Sequence, residues 1–510
     1  MIAIRLVLPC NRSTGRKPNG MTAGMRHAAL MMGASMASIT FAAPPVALTS
    51  ASSQPTLLTP VGSRVFFAAW DEDHGRELWV TDGTVAGTYL VKDILAGPDG
   101  SNPRQLQSQG HRVWFMALNA TSILEVEPVV SDGSVAGTYS VRPSPTNVSV
   151  GLSRPQILAA HDHGLFWSTA EQLWQSDGAP PGTIMLQPHL KVTSMVEAGG
   201  ILYFAGDSDS VQNGIGQSDG TTDFTFWLAT ASPESGYLDS LTAADSHLFF
   251  VFDSSNPGLW AMNIHGKQMA IEVLPQPPQQ HDLGARFLTA LGSLLIFSFD
   301  DSVNGRELWK SDGTPAGTAI LADIADGPSS GNPEFLTVAG NGVYFVAREN
   351  STGAELWKTD GKKKGTVRLT DLRAGEGGSF PTLLVPAPFD DGVLFAATTP
   401  DRGTELWWSS GAPDSAEPLP EVIDGPTGSD PRELTVAGLS LFFVAMDADG
   451  ANRLWTLDLA APRHFRWLPD CLDGPGSDAS DECSASFDAD GDGDVDLFDT
   501  GAFLNRVAAN

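Results

Sequence analysis

Between about residues 55 and 465 the chain runs as short apolar stretches broken by Gly, Asn and Asp, and long helical periodicity is almost absent. The clearest region holds four extended pieces: PEFLTVAG (333–340), GVYFVARE (342–349), AELWKTD (354–360) and GTVRLTDL (365–372). Each is rich in Val, Leu, Phe, Tyr, Trp or Thr and is bounded by turn-forming residues, which predicts four short antiparallel strands. The two-residue period of a strand places Glu355 and Trp357 on one face and Leu356 on the other. The Asp-Gly that follows predicts a tight turn, with the Asp side chain bonding its own backbone two residues on.

This unit is written nine times. ELWVTDGTVAGT begins at Glu77, ELWKSDGTPAGT at Glu307 and ELWKTDGKKKGT at Glu355; weaker copies begin at Glu127, Gln172 and Glu405, and the faintest at Gly214, Gly258 and Arg453. The Trp position falls at 79, 129, 174, 216, 260, 309, 357, 407 and 455, spaced by 50, 45, 42, 44, 49, 48, 50 and 48 residues. A period in the forties marks a propeller or a solenoid. A lone four-stranded sheet cannot bury both faces, whereas blades packed around an axis bury them and leave only short edges. The Trp is then a blade-to-blade packing anchor, of roughly 150–250 Å² buried area.

These segments resemble the bacterial ELWxxDGT repeat proteins over about residues 55–465. The resemblance implies a secreted or surface β-propeller-like protein, usually without an assigned reaction. The expected class is all-β, a propeller of four-stranded blades, with a small α-helical calcium-loop tail. Nine units exceed the usual four to eight blades. Either the ring is unusually large or a degenerate unit near 199–275 is not a full blade, so eight or nine blades are expected.

Charge and termini narrow the setting. The chain has 510 residues, with 30 Lys+Arg against 60 Asp+Glu and a formal charge of −30. Five of the basic residues (Arg5, Arg12, Arg16, Lys17, Arg26) lie in the first 42, which hold no acid, so the remainder carries 25 against 60. Such a field repels phosphate backbones and anionic lipids, which argues against nucleic-acid or membrane-surface partners. From Met25 the chain reads MRHAALMMGASMASITFAAPP, a basic start, an apolar stretch and small residues before Pro44. That is the layout of a secretory signal peptide cleaved near Ala42, and the expected site is secreted or cell-surface. The expected organisation is a leader over 1–42, a linker over 43–54, the propeller over 55–468 and a tail over 469–510. No membrane insertion is expected after signal removal. Cys471 and Cys483 are the only cysteines beyond the leader, and in an exported chain they read as one disulfide.

The tail carries the sharpest chemical motif. Residues 488–499 read DADGDGDVDLFD. Oxygen donors fall at loop positions 1, 3, 5, 7, 9 and 12 (Asp488, Asp490, Asp492, Asp494, Asp496, Asp499), with Gly493 at the sharp turn and Val495 as the apolar pin. Position 7 donates its backbone carbonyl. Carboxylates this dense repel one another unless a hard cation sits among them, so calcium is the expected cofactor. With Asp at position 12 and the helix-like TGAFLNRVAA after it, residues 470–510 resemble a dockerin repeat, present once rather than twice. The resemblance implies calcium-dependent docking to a cohesin-like or cell-surface protein. DADG at Asp447 falls on a blade hairpin and lacks the glycine at position 6.

Catalytic patterns mostly dissolve into the repeat. GPSSG at 327–331 fits the nucleophile pattern around Ser329, yet the same loop recurs at 97–103, 375–381 and 425–431. A nucleophile elbow needs a strand-to-helix turn, so Ser329 is expected to be a loop residue. His161 and His163 have the same-face spacing of strand metal ligands but align with a turn of the better units. Asp93, Asp323, Asp371 and Glu421 each lie ten residues before a loop proline and are expected as a ring on one rim. The S/T-D-G-S/T turns resemble the Asp boxes of sialidase propellers; Tyr203, Tyr237 and Tyr344 show no accompanying arginine pattern. No catalytic residue is assigned. The expected function is a non-enzymatic exported binding or scaffold propeller for a glycan or protein ligand. The competing reading is a polysaccharide-active enzyme, a glycoside hydrolase or lyase. The units between 120 and 290, with six of the ten histidines, are where an enzymatic site would be sought.

Overall fold

A computed structural model describes residues 44–459, apart from 120–121, 143–156, 162–163, 170, 212–213, 231–235, 255–257, 265–269 and 276–283. It contains nine four-stranded antiparallel sheets, each ordered by sequence except the last. The inner strand of every blade lies against the inner strands of its two neighbours, and the ninth lies against the first. The result is a nine-bladed β-propeller. The inner strands begin at residues 56, 104, 157, 190, 236, 286, 334, 382 and 432. The faint units at Gly214 and Gly258 are both full blades, which resolves the count at nine.

Blade 7 shows how closely the pattern maps. Its strands are Glu334–Ala339, Gly342–Glu349, Gly353–Thr359 and Val367–Arg368, so only the outer strand is shorter than the apolar run suggests. Nine hydrophobic clusters fill the nine blade interfaces. In one, Leu308 and Ile296 of blade 6 meet Val343, Phe345 and Trp357 of blade 7. In the next, Tyr344 and Leu356 of blade 7 meet Phe395 and Trp407 of blade 8. The Trp of each ELW thus faces the preceding blade and the Leu faces the following one, as the two-residue period requires. Alternation does not make one face polar, because both faces are buried.

The DGT segment is a self-tied turn. Asp312 accepts the N–H (2.9 Å) and the hydroxyl (2.7 Å) of Thr314, while Ser311 and Thr318 hydroxyls meet at 2.7 Å across the turn. A Cβ on Gly317 would overlap the Asp312 carboxylate, which explains the second glycine of the motif. The turn is also gripped by the preceding blade: Tyr139 Oη donates to the Gly178 carbonyl (2.8 Å) and Arg64 to that of Asp132 (3.0 Å).

Ring closure uses the N-terminal end of the described chain. Val46–Ala47, inside the segment expected as a linker, pairs with Thr456 and Trp455 and forms the outer strand of blade 9. Leu48 N donates to Leu454 O (2.8 Å) and Leu454 N to Thr49 Oγ1 (3.0 Å).

Candidate functional site

The six loop aspartates Asp488, Asp490, Asp492, Asp494, Asp496 and Asp499 lie outside the described residues, as do Cys471, Cys483, the leader and His163. His161 ends the inner strand of blade 3, at the hairpin its alignment indicated. Asp447 is a hairpin residue, accepting the N–H groups of Asp449 (2.9 Å) and Ala451 (3.0 Å) and pairing with Arg453 (2.5 Å).

The rim acids divide into two sets. The Glu of each ELW (Glu77, Glu307, Glu355 and Glu405) is buried, 2% exposed or less, and ties down the loop that leads into the next blade. Glu77 accepts from Leu95 N (3.0 Å), Ser101 N (2.8 Å) and Ser101 Oγ (2.5 Å). Glu307 accepts from Ile324 N and Gly331 N, both at 2.7 Å. Glu355 takes Ser379 N (2.8 Å), Ser379 Oγ (2.7 Å) and Thr370 Oγ1 (2.7 Å), and Glu405 takes Ser429 N (2.6 Å) and Oγ (3.0 Å). In every case a loop donor stands 24 residues beyond the Glu. A buried carboxylate with several donors holds a loop in one geometry and exposes no lone pair to a substrate.

The second set, Asp93, Asp323, Asp371 and Glu421, follows the outer strands at the same rim. Burial pushes Glu307 and Glu405 up to about 7, with Asp323 and Glu421 adding like charge. Burial also raises Glu77. Arg402 pairs with Glu421 at 2.7 Å. Ser329 sits in the strand-to-strand loop between Ala319–Ala322 and Glu334–Ala339, which lacks the strand-to-helix turn of a nucleophile elbow. Tyr344 donates to the Asp391 carbonyl (2.8 Å), and burial raises its phenol, so it is an interblade tie.

What remains open is the axial channel, and here the sequence pattern missed the governing feature. In eight blades the inner strand carries a bulge, and in seven of them it has one form. Its first residue takes a left-handed φ between 51° and 63°: Leu57, Gln105, Ser240, Phe287, Phe335, Leu383 and Glu433. The next residue is Leu in every case, and the pair opposes one Phe of the second strand, such as Phe297 in blade 6 and Phe345 in blade 7. The extra residue turns the first side chain out of the wedge and lets the Leu enter it. The signal was present as a recurring x-Leu-Thr, in Phe287-Leu288-Thr289, Phe335-Leu336-Thr337 and Glu433-Leu434-Thr435. Along blades 6 to 8 the bulges line a cavity of about 630 Å³, at the channel end where the interblade loops enter. Phe287 and Phe335 are 43% and 44% exposed there. Thr289 and Thr337 hydroxyls donate back to the Phe287 and Phe335 carbonyls at 3.0 Å. Within the described residues, then, the molecule is a propeller with tied rims and one apolar arc in its channel.

No family model matches the chain, and no curated protein matches it. Solved structures do. The computationally designed Ika8 protein is 14% identical, with 70% of this chain and 96% of that chain covered and a TM-score of 0.39. A prolyl endopeptidase is 10% identical over 78% of this chain and 55% of its own, with a TM-score of 0.42. Prolyl oligopeptidase B from Galerina marginata is 9% identical, covering 81% and 57%, with a TM-score of 0.42. The chain spans little more than half the length of these peptidases. Identities this low concern fold alone. Among the described residues no helix is long and apolar enough to cross a membrane.

Proposed function

We propose that this chain is an exported ELWxxDGT-type propeller that acts as a non-enzymatic binding or scaffold protein for a glycan or protein ligand. In this reading a calcium-dependent, half-dockerin-like tail attaches it to a larger assembly. The observation that carries the reading is the fate of the motif: its Glu, Asp, Ser and Thr side chains are occupied by bonds to their own blade and loop. Residues held this way position backbone and do not turn over substrate. The tail belongs to the proposal through its donor chemistry, since Asp488, Asp490, Asp492, Asp496 and Asp499 with the Asp494 carbonyl suit a hard cation.

A glycan array on the exported form, run beside a reducing-sugar release assay on the same polysaccharides, tests the proposal. Saturable binding without release is expected. Release of reducing ends, or of unsaturated products, would make the protein a polysaccharide-active enzyme instead.

A further inference from the structure

Deepening the binding-protein reading and resting on it, we infer that the arc formed by Phe287, Phe335 and Leu383 in the axial channel is a binding site for one small, uncharged ligand bearing an aromatic or aliphatic ring.

Three observations converge. The first is residue choice. The left-handed bulge is architectural, since it recurs in seven blades, but its channel-facing residue is not. Other blades place Gln105, Ser240 or Glu433 at the same left-handed position, so the backbone accepts a polar side chain there. A large side chain at positive φ is strained, and a Phe with more than two-fifths of its surface in water gains only part of the burial that would offset the strain. Fold alone therefore gives no reason for Phe at two adjacent blades. The second is size and shape. The cavity, about 630 Å³, is within the range of small-ligand sites, and it is lined by two phenylalanines, four leucines and three threonines. The third is charge. No ionisable side chain lines the cavity, so an ionic ligand would lose its hydration without gaining a partner. The chain's net charge of −30 further opposes an anion. The Thr289 and Thr337 hydroxyls donate to backbone carbonyls, so beside Thr382, the third lining threonine, stacking and apolar contact are the main means of recognition.

The experiment uses the full chain and the uncharged fluorophore N-phenyl-1-naphthylamine. Wild type should bind it saturably at one site. Phe335→Gln and Phe287→Ser, which borrow the residues of blades 2 and 5, should each weaken binding at least tenfold with an unchanged or higher melting temperature. The control is Phe226→Ser, on the exposed outer strand of blade 4. It should bind as wild type does. Unchanged affinity in both channel variants, loss in Phe226→Ser alone, or no saturable binding by wild type would overturn the assignment. Should a channel variant fail to fold, photolabelling of wild type with an uncharged aryl diazirine decides the matter. Adducts should map to 284–291, 332–339 and 382–386; adducts elsewhere would overturn it. Glycan binding that persists in the channel variants would leave the binding-protein reading standing while the ring-ligand assignment is judged on its own.

Discussion

Blades 6–8 and blades 3–5 are built to the same plan from very different sequences. In blades 6–8 a buried Glu reaches the following loop, and the Trp two residues on faces the preceding blade. In blade 3 the Glu is replaced by Gln172, whose carbonyl oxygen instead accepts from its own Trp174 Nε1 (3.0 Å). The long loop is gone as well: only His189 separates the outer strand ending at Pro188 from the inner strand starting at Leu190. In blade 3 the Glu and the loop it would tie down are both absent. The Ser/Thr clasp of the turn survives erosion, at 2.7 Å for Ser176–Thr183 and 2.8 Å for Ser218–Thr225. Blade 5 keeps its four strands with no DGT motif at all, on Leu248, Phe249, Phe250 and Leu259. The apolar wedge makes a blade, and the polar motif sets its rim.

The largest way to test that ranking is to damage the wedge. Trp309→Ala should destabilise the whole propeller by about 3–5 kcal/mol, as a core aromatic truncation does, since Trp309 is 9% exposed. A melting curve unchanged by the substitution would make the polar motif, not the wedge, the main support. Glu355→Ala comes next. It removes the acceptor of buried donors of Thr370 and Ser379; the two hydroxyls can rotate to other acceptors, so the expected cost is about 1–3 kcal/mol for the Ser379 N–H left unsatisfied, whereas Gln172→Ala should cost far less. Equal losses from the two in denaturant titrations would erase the distinction drawn between the two sets of blades.

Acidity should sharpen it further. Glu307 and Glu405 titrate at about 7 in the folded chain against 4.5 ordinarily, so the folded state holds the extra protons. Between those values stability must fall as pH rises, and above about 7 the loss is complete. Glu307→Gln should flatten its share of that slope, and a steeper slope in the variant would contradict the burial argument. Ser329→Ala should alter stability within about ±0.5 kcal/mol and leave any hydrolytic activity unchanged; loss of an established activity with the fold intact would reinstate it as a nucleophile. The smallest shift is expected from a chelator. Calorimetry should show the main transition unmoved, while backbone protection over 484–510 is lost, as it should be in Asp488→Ala or Asp499→Ala. Collapse of the main transition would place calcium inside the propeller.

The repeat, its strands and its turns were legible because each is local: a two-residue apolar period, an Asp-Gly turn and a spacing in the forties lie within one unit. The role of Trp followed too, since alternation assigns it a face. Alternation could not show that the Glu on that face is buried, because its donors stand 24 residues away in a loop. The two-residue strand at Val46–Ala47 has no pattern of its own and is recognised only by its partner some 400 residues on, bonded through Thr49 to Leu454 at a separation of 405. The bulge left its x-Leu-Thr trace, but the outward turn of Phe287 and Phe335 depends on a backbone angle that residue type does not encode. Local chemistry along the chain thus determined the blades and their turns. Only the closed ring decided which polar groups are buried, how many blades meet, and which apolar side chains are left facing the axis, because each of those depends on neighbours brought together from different repeats.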